Sequence, residues 1–131
     1  MIGIVIVSHS PKIAAGVKDL ADQMTQGRVS IVAAGGLDDD TIGTNAERIH
    51  AALVEVGSAD GTLVLVDLGS AVMSAQAAIE MLPDADRDKV TLSSAPLVEG
   101  AIVAAVEASI GKKLAEVKTA AESASEIDKL A

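Results

Sequence analysis

The 131-residue sequence predicts an α/β fold in which an open, mainly parallel four-stranded sheet, in the order 2-1-3-4, carries helices on both faces. Three observations point there. Short apolar runs alternate with segments whose apolar residues recur every three or four positions, the pattern of strands joined by right-handed crossover helices. The apolar runs are continuous rather than alternating, as strands buried on both faces require. The composition is 50% hydrophobic without a single Phe, Tyr or Trp, so the core is built from Ala, Val, Ile, Leu and Met, side chains that suit helices packed closely on a sheet.

Met1 to Ser8 reads as the first strand. Ser10-Pro11 then supplies an N-cap and a proline at the first helical position, so a helix is expected from Pro11 to about Gln26. Its inward positions are Ile13, Val17, Leu20, Ala21 and Met24, and Gly27 ends it. Arg28 to Ala34 is a second strand that stops at Gly35-Gly36. The acidic loop Leu37-Asp38-Asp39-Asp40-Thr41 leads to a helix from about Thr44 to Val56, with Ala46, Ile49, Leu53 and Val56 inside. After the turn cluster Gly57 to Gly61, Thr62 to Val66 is the most strand-like run in the chain, closed by Asp67. Gly69-Ser70 opens a helix with Val72, Ala75, Ile79 and Leu82 as its apolar positions. Pro83 to Asp88 connects to a short fourth strand, Lys89 to Ser93, and Pro96 begins the first turn of a helix running toward Ile110. Gly111 interrupts it. The tail carries Leu114, Val117, Ala121, Ala124 and Ile127 at helical spacing and is expected to pack back on the body. The chain, 1-131, is read as one domain without linker, repeat or low-complexity tract.

A formal net charge of -9, with Lys112-Lys113 the only adjacent basic pair, disfavours nucleic acid and anionic membranes as partners. It suits a basic partner protein and simple solubility equally. No Cys is present, which removes disulfides, thiolate catalysis and sulfur-type zinc sites. The apolar runs are far shorter than the roughly 20 residues of a spanning helix, and no secretory leader is evident, so a cytoplasmic address is expected. The absence of GxGxxG and GxxxxGK[ST] argues against a Rossmann dinucleotide site and a P-loop.

In an open parallel sheet, ligands bind at the carboxyl edge of the strands. Four loops gather there, carrying Ser8-His9-Ser10, Gly35-Gly36, Asp67-Leu68-Gly69-Ser70 and Ser93-Ser94-Ala95. With strands one and three as neighbours, His9 and Asp67 emerge side by side. A neutral imidazole has a lone pair available for in-line attack on phosphorus. A carboxylate at its other nitrogen would fix the tautomer and stabilise the cation formed in transfer. The helices beginning near Ser10 and Ser70 would aim free N–H groups at phosphoryl oxygens, and Gly36 and Gly69 would let the backbone approach closely. Ser10, Gly36, Gly69 and Ser70 are therefore the expected phosphate-binding positions. Competing readings stand beside these. His9 by position alone is also compatible with a turn or helix-cap residue. Asp38, Asp39 and Asp40 could join Asp67 in a magnesium site or supply a phosphoacceptor, or form an exposed loop whose last Asp or Thr41 caps a helix. His50, beside Glu47 and Asp60, reads as a solvated surface residue.

The segment Gly3-Ile-Val-Ile-Val-Ser-His9-Ser-Pro-Lys-Ile-Ala-Ala-Gly16 resembles the start of the mannose-type enzyme IIA fold of the bacterial phosphoenolpyruvate-dependent phosphotransferase system. Ala34-Gly-Gly-Leu-Asp-Asp-Asp-Thr-Ile-Gly-Thr44, Val64-Leu-Val-Asp-Leu-Gly-Ser-Ala-Val-Met-Ser74 and Ala95-Pro-Leu-Val-Glu-Gly100 extend the likeness over essentially the whole chain. Sugar-transporting relatives show Thr-His-Gly and a Gly-Gly-Ser-Pro type turn. Here the stretches read Ser8-His9-Ser10 and Gly69-Ser70-Ala71, which favours the branch serving phosphoenolpyruvate-dependent dihydroxyacetone kinase. The resemblance implies a homodimer phosphorylated on His9 by the histidine-containing phosphocarrier protein HPr. It further implies transfer from His9 to ADP on the kinase subunit DhaL. ADP or ATP with Mg then belongs to the partner, and this chain binds no cofactor or metal of its own. The alternatives are the IIA component of a mannose-type sugar transporter and, in another class, a non-catalytic regulatory module for a small anion or magnesium.

Overall fold

The computed structural model describes all residues, Met1–Ala131. The elements run β1 (Gly3–Ser8), α1 (Pro11–Thr25), β2 (Ile31–Gly35), α2 (Ala46–Val56), β3 (Thr62–Val66), α3 (Gly69–Glu80), α4 (Asp84–Arg87), β4 (Val90–Ser93), α5 (Leu97–Ser109) and α6 (Leu114–Ser123). The four strands pair in the order β2-β1-β3-β4, and every pairing is parallel. This is the predicted α/β architecture.

Strand alternation divides the core into two layers, because successive side chains point to opposite faces. Ile4, Ile6, Leu63 and Leu65 face α1, α5 and α6, where Ala14, Val17, Ala21, Ala101, Ala105 and Val117 complete the packing. Val5, Val7, Val64 and Val66 face α2 and α3, against Ile49, Leu53, Ala71 and Ala75. Alanine dominates the helical side of both layers. Its small side chain lets helix backbones sit close to branched strand residues, which is how a core without aromatics reaches full density.

The same preference corrects the expected inner face of α1. Ala14, Val17, Ala21 and Thr25 are buried, whereas Ile13, Leu20 and Met24 are largely exposed. The buried arc is rotated by about one residue because the helix approaches the sheet through its alanines. Gly35 shows how close the approach is: a Cβ there would lie 2.5 Å from the Ser10 carbonyl oxygen and 2.8 Å from the Ala14 Cβ.

Smaller differences have equally local causes. Gln26, in a left-handed conformation, ends α1 ahead of Gly27. Asn45 caps α2 by accepting from the Glu47 N–H at 2.9 Å, so neither an acidic-loop aspartate nor Thr41 does so. The connection Pro83 to Asp88 contains the short helix α4, and Pro96 occupies the N-cap rather than the first turn of α5. Val117, Ala121 and Ala124 pack inward as expected, but α6 ends at Ser123 and Ile127 is exposed. No helix is long and apolar enough to cross a membrane.

Candidate active site

The parallel register sets Val7 opposite Val66, so the next residues of β1 and β3 leave the sheet together. Ser8, His9 and Asp67 consequently meet at its carboxyl edge. Asp67 gathers four donors. Its Oδ2 accepts from Ser8 Oγ at 2.8 Å and from the His9 N–H at 2.9 Å. Its Oδ1 accepts from His9 Nδ1 at 2.8 Å and from the Leu68 N–H at 2.7 Å. Burial alone would push this carboxyl up. The hydrogen bonds from the His9 backbone, the His9 ring, Ser8 and Leu68 together outweigh that and hold it below the ordinary carboxylate range.

An ionised carboxylate can only accept, so the proton of the neutral ring sits on Nδ1 and the lone pair on Nε2. Nε2 faces the hydroxyl of Ser70, which in this tautomer donates to it. The side chain of His9 is 23% exposed and that of Asp67 17%. Both side chains are thus covered to a similar degree, with part of each open to solvent.

Ser70 stands in the first turn of α3. The Ala71 and Val72 N–H groups bond the Leu68 carbonyl at 3.0 and 3.4 Å, leaving those of Gly69 and Ser70 without an acceptor in the fold. Space around Gly69 is open. Two free donors at the positive end of a helix dipole, beside Nε2, form an anion-binding arrangement.

Ser10 and Gly36 are placed differently from the expectation. The Ser10 hydroxyl accepts from the Ile13 N–H at 3.2 Å and so caps α1. The Gly36 N–H donates to the Ser8 carbonyl at 3.1 Å. Gly36 has φ 75°, and a Cβ there would lie 2.6 Å from Pro11 and from the Thr41 carbonyl oxygen. Both residues shape the turn around His9 without offering it a free backbone donor.

The acidic loop is also accounted for locally. Asp38 accepts from the Asp40 N–H at 2.9 Å, and Asp39 pairs with Arg48 at 3.2 Å. Arg48 also donates to the Gly35 carbonyl at 3.1 Å. No group of three or more His, Cys, Asp or Glu side chains converges as a metal site. His50 lies on α2, half-buried rather than fully solvated.

Three contributors went unrecognised in the sequence. Ser8 is only 1% exposed, and a polar residue closing an apolar strand is the one signal that marks it. The Gly43 N–H donates to the His9 carbonyl at 2.8 Å, and Thr44 meets Ser74 of α3 at 2.7 Å. These backbone and loop contacts have no sequence pattern of their own.

A hollow of about 350 Å³ by Leu53, Thr62 and Val90 lies at the opposite edge of the sheet and is lined by none of His9, Asp67 and Ser70. Leu37, Ile42, Leu68 and Met73 are exposed, Met73 71%; Leu68 follows Asp67, and Ile42 precedes Gly43, whose N–H bonds the His9 carbonyl. Exposed apolar side chains of this kind suit contact with a protein partner.

The sequence profile of the family described as PTS system fructose IIA component, EIIA-man, matches residues 3–118. The chain belongs to the mannose-type enzyme IIA family. The DhaM phosphoryl donor subunit of the phosphoenolpyruvate-dependent dihydroxyacetone kinase of Providencia stuartii (strain MRSN 2154) is 42% identical over 95% of this chain. The chain spans only 27% of the length of that relative. The corresponding DhaM subunit of kinase 2 of Listeria innocua serovar 6a is 40% identical over 82% of this chain and 86% of its own length. The chain therefore falls in the DhaM branch of the IIA family. The crystal structure of a protein of unknown function superimposes with a TM-score of 0.84 at 34% identity, covering 92% of both chains.

Proposed function

We propose that this IIA-family chain is a phosphohistidine carrier. His9 accepts a phosphoryl group from HPr and passes it to ADP held on the kinase subunit DhaL, supporting phosphorylation of dihydroxyacetone. The observation that carries the reading is the ordered series Asp67, His9, Ser70: Nδ1 is held by a carboxylate and Nε2 points to free donors. In the first step the Nε2 lone pair attacks phosphorus as the bond to the donor's nitrogen breaks. The ring, still protonated on Nδ1, becomes cationic, and Asp67 stabilises that charge. Ser70, freed from Nε2, donates to a phosphoryl oxygen with the N–H groups of Gly69 and Ser70. In the second step an oxygen of the acceptor displaces Nε2 and the ring returns to neutral.

On this reading Asp67 and His9 are the catalytic pair, Gly69 and Ser70 bind phosphate, and Ser10 and Gly36 build the turn. The chain works as a single IIA-like domain in the cytoplasm. ADP or ATP with Mg sits on the partner, and none is held here. Leu37, Ile42, Leu68 and Met73, beside the acidic residues Asp38 to Asp40, form the surface on which partners dock. A homodimer is supported by the apolar outer faces of two adjacent helices, Ile13, Leu20 and Met24 on α1 and Val98 and Val106 on α5, with Ile110 just after it.

The test is an acceptor assay with the phosphorylated chain. Loss of its phosphate to DhaL carrying ADP, with ATP formed, is expected. Transfer instead to a sugar-specific IIB protein would identify a transporter component. Saturable small-anion or magnesium binding without any transfer would identify a regulatory module.

A further inference from the structure

The carboxyl ends of two strands carry the same hydrogen-bonded turn. At β1, Ser8 Oγ and the His9 N–H donate to Asp67 Oδ2 at 2.8 and 2.9 Å, and the Ser10 N–H donates to Ser8 Oγ at 3.1 Å. At β4, Ser93 Oγ and the Ser94 N–H donate to Glu122 Oε2 at 2.9 and 3.2 Å, and the Ala95 N–H donates to Ser93 Oγ at 3.1 Å. In each turn a strand-end serine fixes one oxygen of a carboxylate from a distant element. The partner of each carboxylate differs: Asp67 Oδ1 takes the His9 ring at 2.8 Å, whereas Lys118 Nζ straddles the Glu122 carboxylate, 3.2 Å from Oε1 and 3.0 Å from Oε2. The clamp therefore exists without a histidine, and its common product is an aimed carboxylate.

Aiming matters because the terminal torsion of an aspartate is broad and roughly two-fold, so rotamer preference alone does not hold Oδ1 in place. Hydrogen bonds do it, from Ser8 Oγ and the His9 N–H at Oδ2 and from the Leu68 N–H at Oδ1. We propose that Ser8 is a positioning residue: it locks Asp67 Oδ2 so that Oδ1 holds the proton on His9 Nδ1 and leaves the Nε2 lone pair for phosphorus. Ser8 acts through Asp67 and makes no contact with Nε2. The inference rests on His9 being the phosphoryl acceptor for its consequence in transfer, but its effect on the ring is independent of any partner.

The matched turn at β4 provides the control. Ser8→Ala and Ser93→Ala remove equivalent hydrogen bonds from equivalent turns, and only the first faces His9. Nitrogen NMR of the histidine rings in the full chain, at mildly alkaline pH, reads the tautomer, and rapid-quench phosphorylation by phosphorylated HPr reads the rate. Ser8→Ala is expected to give mixed His9 tautomers and to slow the transfer step about 10–100-fold, the range for removing a group that orients a functional histidine. The half-saturating HPr concentration is expected to stay unchanged. Ser93→Ala is expected to keep the wild-type tautomer and rate, and Ser8→Thr, which retains the hydroxyl, to restore both. A folded Ser8→Ala with the Nδ1–H tautomer and the wild-type rate would overturn the proposal, as would equal slowing by Ser93→Ala. Should Ser8→Ala fail to fold, Ser8→Cys, with its weaker donor, is read by the same two measurements. A wild-type chain that is never phosphorylated would contradict the carrier reading alone, because the tautomer comparison still decides the role of Ser8.

Discussion

Replacing Asp67 with asparagine preserves shape while exposing the electrostatic logic of the site. The carboxylate accepts from four donors, two at each oxygen. An amide has one accepting oxygen, and its nitrogen can only donate. If the amide oxygen takes the Oδ2 position, the nitrogen opposes the Leu68 N–H and forces His9 Nδ1 to accept. The ring proton then moves to Nε2 and the nucleophilic lone pair is lost. If the oxygen takes the Oδ1 position, the nitrogen opposes the His9 N–H, while Ser8 can turn to donate elsewhere. Either orientation strands one backbone N–H, so Asp67→Asn should cost about 2–4 kcal/mol from that orphaned donor and the lost charge-assisted bonds. The wrong tautomer and the unstabilised imidazolium should slow phosphoryl transfer by on the order of 10³–10⁴-fold, the scale found where a carboxylate orients a catalytic histidine. Denaturant unfolding measures the first effect and rapid-quench phosphorylation by phosphorylated HPr the second. A folded Asp67→Asn that transfers at the wild-type rate with its proton still on Nδ1 would refute the reasoning.

Two further outcomes follow from the same geometry. Met73→Asp, on the exposed rim beside Ser70, should raise the half-saturating concentration of HPr about tenfold, as loss of one interface anchor does, with the transfer step unchanged; steady-state phosphorylation kinetics check this. Asp67 is held below the ordinary carboxylate range and Glu122 likewise, burial raising the latter less than Lys118, Ser93 and Ser94 lower it. The sign follows from linkage: a carboxyl depressed in the folded state contributes stability that is fully present above the unfolded value, about pH 4, and is lost as pH falls through the folded value. Stability measured by urea unfolding should therefore fall below about pH 4, and Asp67→Asn should flatten that fall; an unchanged slope would contradict it.

The sheet order and the meeting of His9 with Asp67 could be read from the sequence for one physical reason. Strands buried on both faces are continuous apolar runs, and the polar residues that end them mark the carboxyl edge. Ser70 was visible because it opens a helix at that edge. The buried face of α1 was not, since Val17 and Ala21 lie on both candidate arcs, and only the close approach at Gly35 decides for Ala14 over Ile13. The bonds of Ser8 and Gly36 are not legible in the sequence, because they depend on where a hydroxyl or an N–H finds its acceptor, Asp67 Oδ2 in one case and the Ser8 carbonyl in the other. Apolar periodicity does not record such pairings. The acidic loop is settled the same way: Arg48, in the first turn of α2, takes Asp39 and the Gly35 carbonyl.

Phosphate mapping on His9 tests the central claim most directly. The chain is incubated with phosphoenolpyruvate, enzyme I and HPr, and the product is analysed by mass spectrometry under conditions that preserve acid-labile phosphohistidine. One phosphoryl group on His9 is predicted, with none on His9→Ala. An unmodified His9 in the presence of phosphorylated HPr, or full phosphorylation of His9→Ala, would contradict the account.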